Sequence, residues 1–154
     1  MLSWSLVCGD IFSSRDSLGQ CISEDLKMSR GISVGFKKKF TELCEIGSKT
    51  FVGDVLVVKS GDIFIFNLVT KYRYFHKPTY EDFKICLSKL ARLIGIYKVK
   101  KLSLPLLGCG LDGLNWMVVR RLIYDALKSS DVQVTIYSLA KDAYMFRYCD
   151  IIWI

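Results

Sequence analysis

Apolar residues in this chain fall in short runs cut by glycine, proline or acidic pairs, and the period within each run separates strand from helix. Ser3 to Cys8 is an apolar run stopped by Gly9-Asp10, and Ser17 to Ile22 is a second, so the first quarter predicts two strands around a polar loop. From Met28, the positions Ile32, Val34, Phe36 and Phe40 fall among Arg30, Lys37, Lys38 and Lys39, which predicts a basic amphipathic helix weakened by Gly31 and Gly35. Val55 to Lys59 and Ile63 to Thr70 are β-branched and aromatic runs joined by Ser60-Gly61-Asp62, the signal of a hairpin. After Pro78, Thr79 caps a predicted helix with Asp82 at the capping-box position; Phe83, Leu87, Leu90, Leu93 and Ile94 keep helical spacing, and Gly95 is its expected stop. Val99 to Leu106 predicts a buried strand, and a glycine-rich stretch, Leu107 to Leu114, follows it. Asn115 then caps a helix with Val118, Val119, Leu122, Ile123 and Leu127 on one face, and Val132 to Tyr137 is a last strand. Strands alternating with helices predict a layered α/β domain, and the hairpin makes its sheet mixed.

Length and composition narrow the class without changing that picture. A chain of 154 residues, 51% hydrophobic, holds one core and no low-complexity tract. The net charge of +7 favours phosphates, nucleic acid or other anionic partners. No window approaches the roughly 18 consecutive apolar residues of a bilayer span, and Met1 to Gly9 lacks the basic flank and apolar length of a signal peptide, so an intracellular protein, cytoplasmic or nuclear, is expected. The cysteines at 8, 21, 44, 86, 109 and 149 form no CxxC pair, so a metal site is not expected and free thiols packed as small hydrophobes are. Ala140 to Ile154 carries Tyr144, Met145, Phe146, Tyr148, Ile151, Ile152 and Trp153, and reads as a last element folded against the body or as a partner contact.

Two stretches carry candidate chemistry. Gly108-Cys109-Gly110-Leu111-Asp112-Gly113 matches GxGxxG between a strand and a helix, where glycines admit a pyrophosphate and the helix start supplies free N–H groups. Its place in the last third of the chain leaves no room for a full dinucleotide-binding fold, and a tight strand-to-helix turn is the plainer alternative. Asp112 would repel a diphosphate, so it is expected to face a hydroxyl or a reacting carbon. In His76-Lys77-Pro78-Thr79-Tyr80, the proline holds Lys77 extended just before a helix start. Lys71, Arg73, the helix dipole and partial burial among Tyr72, Tyr74 and Phe75 would favour the neutral, nucleophilic amine; the competing reading is a solvated surface lysine. His76, the sole histidine, is tied to no nucleophile by spacing, and Lys37-Lys38-Lys39 reads as a solvated helix face.

Gly9-Asp10-Ile11-Phe12, Cys21-Ile22-Ser23-Glu24-Asp25, the GFKKKF stretch ending at Phe40, HKPTY at 76–80 and GCGLDGLNW at 108–116, in this order, resemble macrodomains, with the terminal ADP-ribose protein glycohydrolase subgroup as the nearest pattern. The resemblance spans residues 3 to 139 and is weakest at Thr41 to Gly53. It implies a three-layer α/β/α macrodomain over residues 1–139 with a central mixed β-sheet, residues 140–154 being an extension packed on or beside it. It further implies an ADP-ribose cleft at the carboxyl ends of the strands. Asp10 and Ile11 would meet the adenine; Ser23, Gly31 and Ile32 the ribose and diphosphate. Leu107, Gly108, Cys109, Gly110 and Leu111 would wrap the diphosphate and distal ribose, and Tyr137, Ser138 and Leu139 would close the adenine end. By the same resemblance Lys77 attacks the distal ribose to give a lysyl ADP-ribose intermediate that Asp112, as acid/base, resolves. The implied activity is removal of mono-ADP-ribose from acidic side chains of proteins by a monomer needing no cofactor, with O-acetyl-ADP-ribose as a side substrate. ADP-ribosylated nucleic acid as substrate, and an ADP-ribose reader without turnover, are the alternatives.

Overall fold

The chain is described by a computed structural model over residues 2–47, 49–139 and 141–142, with the backbone of Ile152–Trp153. In chain order it runs β1 (Ser3–Cys8), β2 (Ser17–Ser23), α1 (Ile32–Lys39), β3 (Val55–Ser60), β4 (Ile63–Lys71), α2 (Tyr80–Ile96), β5 (Lys101–Leu104), α3 (Trp116–Leu127), β6 (Gln133–Ser138) and β7 (Ile152–Trp153), with 3-10 turns at Ile11–Ser13 and Thr41–Glu45. Among the described residues the strands form one sheet in the order β3-β4-β2-β5-β6-β1-β7. All neighbours are parallel except β3 and β4, whose antiparallel hairpin makes the sheet mixed.

The sheet is covered on both faces, and its strands sort their side chains accordingly. Phe66 and Leu68 of β4, Leu102 and Leu104 of β5, and Val134 and Ile136 of β6 face Phe83, Leu87, Leu90 and Ile94 of α2 and Val119, Ile123 and Leu127 of α3. Leu18 and Ile22 of β2, with Ile65 and Val69 of β4, face Phe36 of α1 and Phe40 and Leu43 beyond it. Period-2 strands between two apolar layers yield the three-layer α/β/α architecture, here with the larger core under α2 and α3.

Three boundaries differ from the sequence-based expectation, each for a local reason. The helix expected from Met28 starts at Ile32, because Leu26, Met28 and Gly31 have φ of 56°, 45° and 59°, outside helical geometry. Gly95 lies inside the last turn of α2 and does not end it: Lys98, at φ 54°, does, donating its N–H to Gly95 O while Val99 N–H returns to Ile94 O. β5 covers only the middle of the run from Val99 to Leu106, since Pro105 has no N–H for the ladder and Leu107 N–H turns back onto Pro105 O. Both strands expected in the first quarter form, as β1 and β2, with β5 and β6 between them in the sheet. The aromatic tail and its boundary at residue 139 fall mostly outside the described residues; Ile152–Trp153 pairs parallel with Val7 and Cys8 of β1.

Candidate active-site cleft

β2 leads toward β3 and β4 on one side of the sheet while its neighbour β5 leads to β6 on the other, so the loops leaving their carboxyl ends part and open a crevice. A cleft of about 670 Å³ lies there, walled by the loops after β2, β4, β5 and β6. Of the residues expected at a ligand, Ser23, Gly31, Ile32, Lys77, Leu107, Gly108, Cys109, Gly110, Leu111, Asp112, Tyr137, Ser138 and Leu139 all line it. Asp10 and Ile11 do not: Asp10 Oδ1 accepts the Phe12 N–H at 3.0 Å as cap of the 3-10 turn, and Ile11 is buried in the smaller core.

The glycine loop is shaped as an anion cradle. Gly108 has φ +70°, and a Cβ there would come within 2.8 Å of Leu114, so both backbone and space require glycine. Leu114 N–H bonds to Gly108 O and Gly113 N–H to Gly110 O, closing the loop before the Asn115 side chain caps α3 through Met117 N–H at 2.8 Å. Among the described residues the amides of Gly108, Gly110, Leu111 and Asp112 donate to no protein group, leaving four N–H donors for an anion. Across the cleft α1 opens at Gly31 without a side-chain cap.

Lys77 reaches this loop at Leu111, beside Asp112. Thr79 caps α2, accepting Asp82 N–H at 3.1 Å, and thereby sets the turn that holds Lys77; the Tyr80 hydroxyl accepts the Asn115 N–H at 3.0 Å and clasps that turn to the start of α3. Lys77 Nζ donates to the carbonyl of Leu111, the residue before Asp112. The Asp112 carboxylate itself is held by Lys71, with Nζ to Oδ1 at 2.6 Å and side-chain exposures of 12% and 16%. The partial burial expected around Lys77 is not there. Lys77 is exposed, because Tyr74, Phe75 and His76 pack edge to face on one another, at 5.4 and 4.6 Å, and Arg30 covers Tyr74 at 5.4 Å. Lys71, weighed in the sequence only as a nearby charge, is the lysine that is largely buried and paired; its 41-residue separation from Asp112 hides that contact from any local pattern.

The polar wall after β2 is organised by Asp25, which sequence spacing did not single out. Its Oδ1 accepts the Ser23 hydroxyl and Lys27 N–H, and its Oδ2 accepts Tyr74 N–H at 3.0 Å, tying this loop to the one bearing Lys77. Burial raises the Asp25 pKa, but the Ser23 hydroxyl, the Tyr74 and Lys27 amides and the Arg73 charge outweigh it and hold the carboxyl below its ordinary value. The thiols at the cleft are not poised as nucleophiles: burial, helped by the Asp112 charge, pushes Cys109 up to about 12, and burial raises Cys21 well above its ordinary value. His76 borders the cleft, exposed and stacked on Phe75.

No protein-family model matches the sequence. The chain is 40% identical over 136 residues to the ADP-ribose glycohydrolase OARD1 of Homo sapiens, an alignment covering 86% of this chain and 90% of the human protein. It is 30% identical over 122 residues to the DNA ADP-ribosyl glycohydrolase of Thermus aquaticus, covering 71% of this chain and 34% of that protein. The solved macrodomain of Thermus aquaticus DarG superposes with a TM-score of 0.79 at 26% identity, covering 90% of this chain and 99% of that one. With a cleft at the carboxyl ends of a mixed sheet and relatives of this identity and span, the chain belongs to the macrodomain family that includes these ADP-ribose glycohydrolases.

Proposed function

We propose that the chain is a hydrolase that removes mono-ADP-ribose from acidic side chains of proteins, with Lys77 as nucleophile and Asp112 as acid/base. The observation that carries this reading is the approach of Lys77 Nζ to the Leu111 carbonyl, 34 residues along the chain, beside the Asp112 carboxylate. The relatives named ADP-ribose glycohydrolases, and the four free loop amides suited to a diphosphate, support the ligand. Held by that loop, the distal ribose presents its anomeric carbon to Lys77. The Lys77 amine forms a C–N bond as the C–O bond to the target carboxylate breaks, and the electron pair leaves with that carboxylate while the amine proton passes to Asp112. Water then adds to the lysyl adduct, Asp112 moves its proton, and ADP-ribose departs with the lysine restored.

Intact-mass analysis after a borohydride quench, with a glutamate-linked ADP-ribosyl peptide, tests the mechanism. An adduct on Lys77 is expected in the wild type and in larger amount in Asp112→Ala, with release slowed about 10²- to 10⁴-fold in the latter. Lys77→Ala that releases ADP-ribose as fast as wild type overturns it.

A second reading, ADP-ribose removal from nucleic acid, is favoured by the net charge of +7 and by the Thermus relative named for DNA. It expects turnover of a modified oligonucleotide that falls steeply with salt, against a shallow salt dependence for the peptide.

A further inference from the structure

We infer that Arg30 determines specificity on the target side of the cleft, its guanidinium taking a second carboxylate of an acidic peptide beside the modified side chain. The inference rests on the hydrolase reading above for targets modified on acidic side chains, but not on which group attacks the ribose. The two ends of the cleft follow from the order of the sheet. Tyr137, Ser138 and Leu139, expected at the adenine, lie at the end of β6, whereas Arg30 and Tyr74 stand on the loops after β2 and β4, on the opposite side of the Asp112 loop that follows β5. An ADP-ribose laid with its adenine at β6 and its distal ribose at Asp112 thus turns the target toward the Arg30 wall.

That wall is a braced stack. The Arg30 guanidinium lies 5.4 Å from the centroid of the Tyr74 ring, Tyr74 meets Phe75 edge to face at 5.4 Å, and Phe75 meets His76 at 4.6 Å. Asp25 Oδ2 accepts the Tyr74 N–H at 3.0 Å, so the main chain under the stack is pinned as well. Stacking uses the face of a guanidinium and leaves its N–H donors, which lie in the plane, for another partner. Among the described residues Arg30 makes neither an ion pair nor a hydrogen bond, and the guanidinium whose charge reaches Asp25 is that of Arg73. Four cations, Arg30, Lys71, Lys77 and Lys141, line the cleft against two carboxylates, Asp112 and Asp142, and Lys71 is committed to Asp112. Arg30 is thus an exposed, pre-oriented fork of the kind that holds a carboxylate through two hydrogen bonds. The same fork fits a phosphate, but the rest of the wall does not suit a nucleic-acid strand. Bases bind by stacking on open aromatic faces. Here Tyr74 carries Arg30, Phe75 is engaged by Tyr74 and His76, and Tyr72, the ring left open at 59% exposure, stands outside the cleft wall.

The test compares two glutamate-linked ADP-ribosyl peptides that differ only in the residues flanking the modified glutamate, glutamates in one and glutamines in the other. In each variant the quantity read is the ratio of their kcat/KM values, so that changes in folding or in the chemical step cancel. The wild type is expected to favour the glutamate-flanked peptide about fivefold, through KM, and Arg30→Ala to bring the ratio to about one. Arg30→Lys, a point charge without the fork, keeps a ratio of about two, and Tyr74→Leu, which removes the brace, lowers it to about two with Arg30 in place. ADP-ribose affinity, measured by calorimetry, stays within about twofold of wild type in Arg30→Ala. The inference is overturned if the wild type does not discriminate, if Arg30→Ala keeps the preference, or if ADP-ribose affinity falls in step with it, which would put Arg30 on the diphosphate. A loss of turnover in Arg30→Ala confined to a modified oligonucleotide assigns the fork to a phosphate and overturns it as well. A wild type that hydrolyses neither peptide overturns the acidic-side-chain reading and this inference together, whereas a failed ratio in an active enzyme overturns the inference alone.

Discussion

Asp25 joins two loops that the chain keeps 49 residues apart, bonding Ser23 on one and the Tyr74 amide on the other. Because its folded pKa lies below the ordinary carboxylate value, the folded protein binds this proton more weakly than the unfolded chain. Its stabilisation is therefore present above the unfolded value of about 4 and is lost as pH falls through the folded one. Urea unfolding of wild type and Asp25→Asn is expected to show the wild type more stable at pH 7, with the gap narrowing as pH falls below about 4. A gap that does not narrow as pH falls below about 4 would assign the stabilisation to something other than the ionised carboxylate. In the sequence Asp25 closes the Cys21-to-Asp25 stretch after a strand; Ser23 and Lys27 lie beside it in the chain, but Tyr74 comes from a distant loop, so only the fold reveals the tie between the two loops.

At the scale of elements, what is periodic was legible and what is set by a single torsion was not. The faces of α2 and α3, both helix caps and the β3–β4 hairpin follow from spacing and turn chemistry. The start of α1 and the end of α2 were misplaced because Met28 and Lys98 adopt positive φ, which neither residue type advertises. Lys98 sits where glycine is usual, with the Val99-to-Ile94 bond closing the motif around it. Lys98→Gly removes a left-handed strain of about 1 to 2 kcal/mol while adding roughly 0.5 to 1 kcal/mol of unfolded-chain entropy. A net gain of about 0.5 kcal/mol in denaturant unfolding is expected, and a loss would mean that the Lys98 side chain contributes contacts of its own.

Across the whole molecule, the site is a product of topology. Lys71 ends β4, Lys77 follows it and Asp112 follows β5; β2 separates these strands in the sheet, so the crossover through α2 is what brings the three to one cleft. Ordered motifs let the sequence point to a macrodomain and to the Lys77 and glycine-loop stretches. The pairing of Asp112 with Lys71 in place of Lys77, and the absence of Asp10 and Ile11 from the cleft wall, depend on long-range packing that spacing does not encode. The same packing decides how the protein meets reactive chemicals. Burial pushes the Cys86 and Cys109 thiols up to about 12, so both keep their protons at pH 7, whereas Cys44 is exposed on its 3-10 turn. Brief iodoacetamide treatment at pH 7, read by peptide mass mapping, is expected to alkylate Cys44 ahead of Cys86 and Cys109; carbamidomethylation of Cys109 first would contradict this. A cleft whose thiols keep their protons resists alkylating agents and peroxide, so hydrolysis should continue under oxidative conditions that mark the protein's surface.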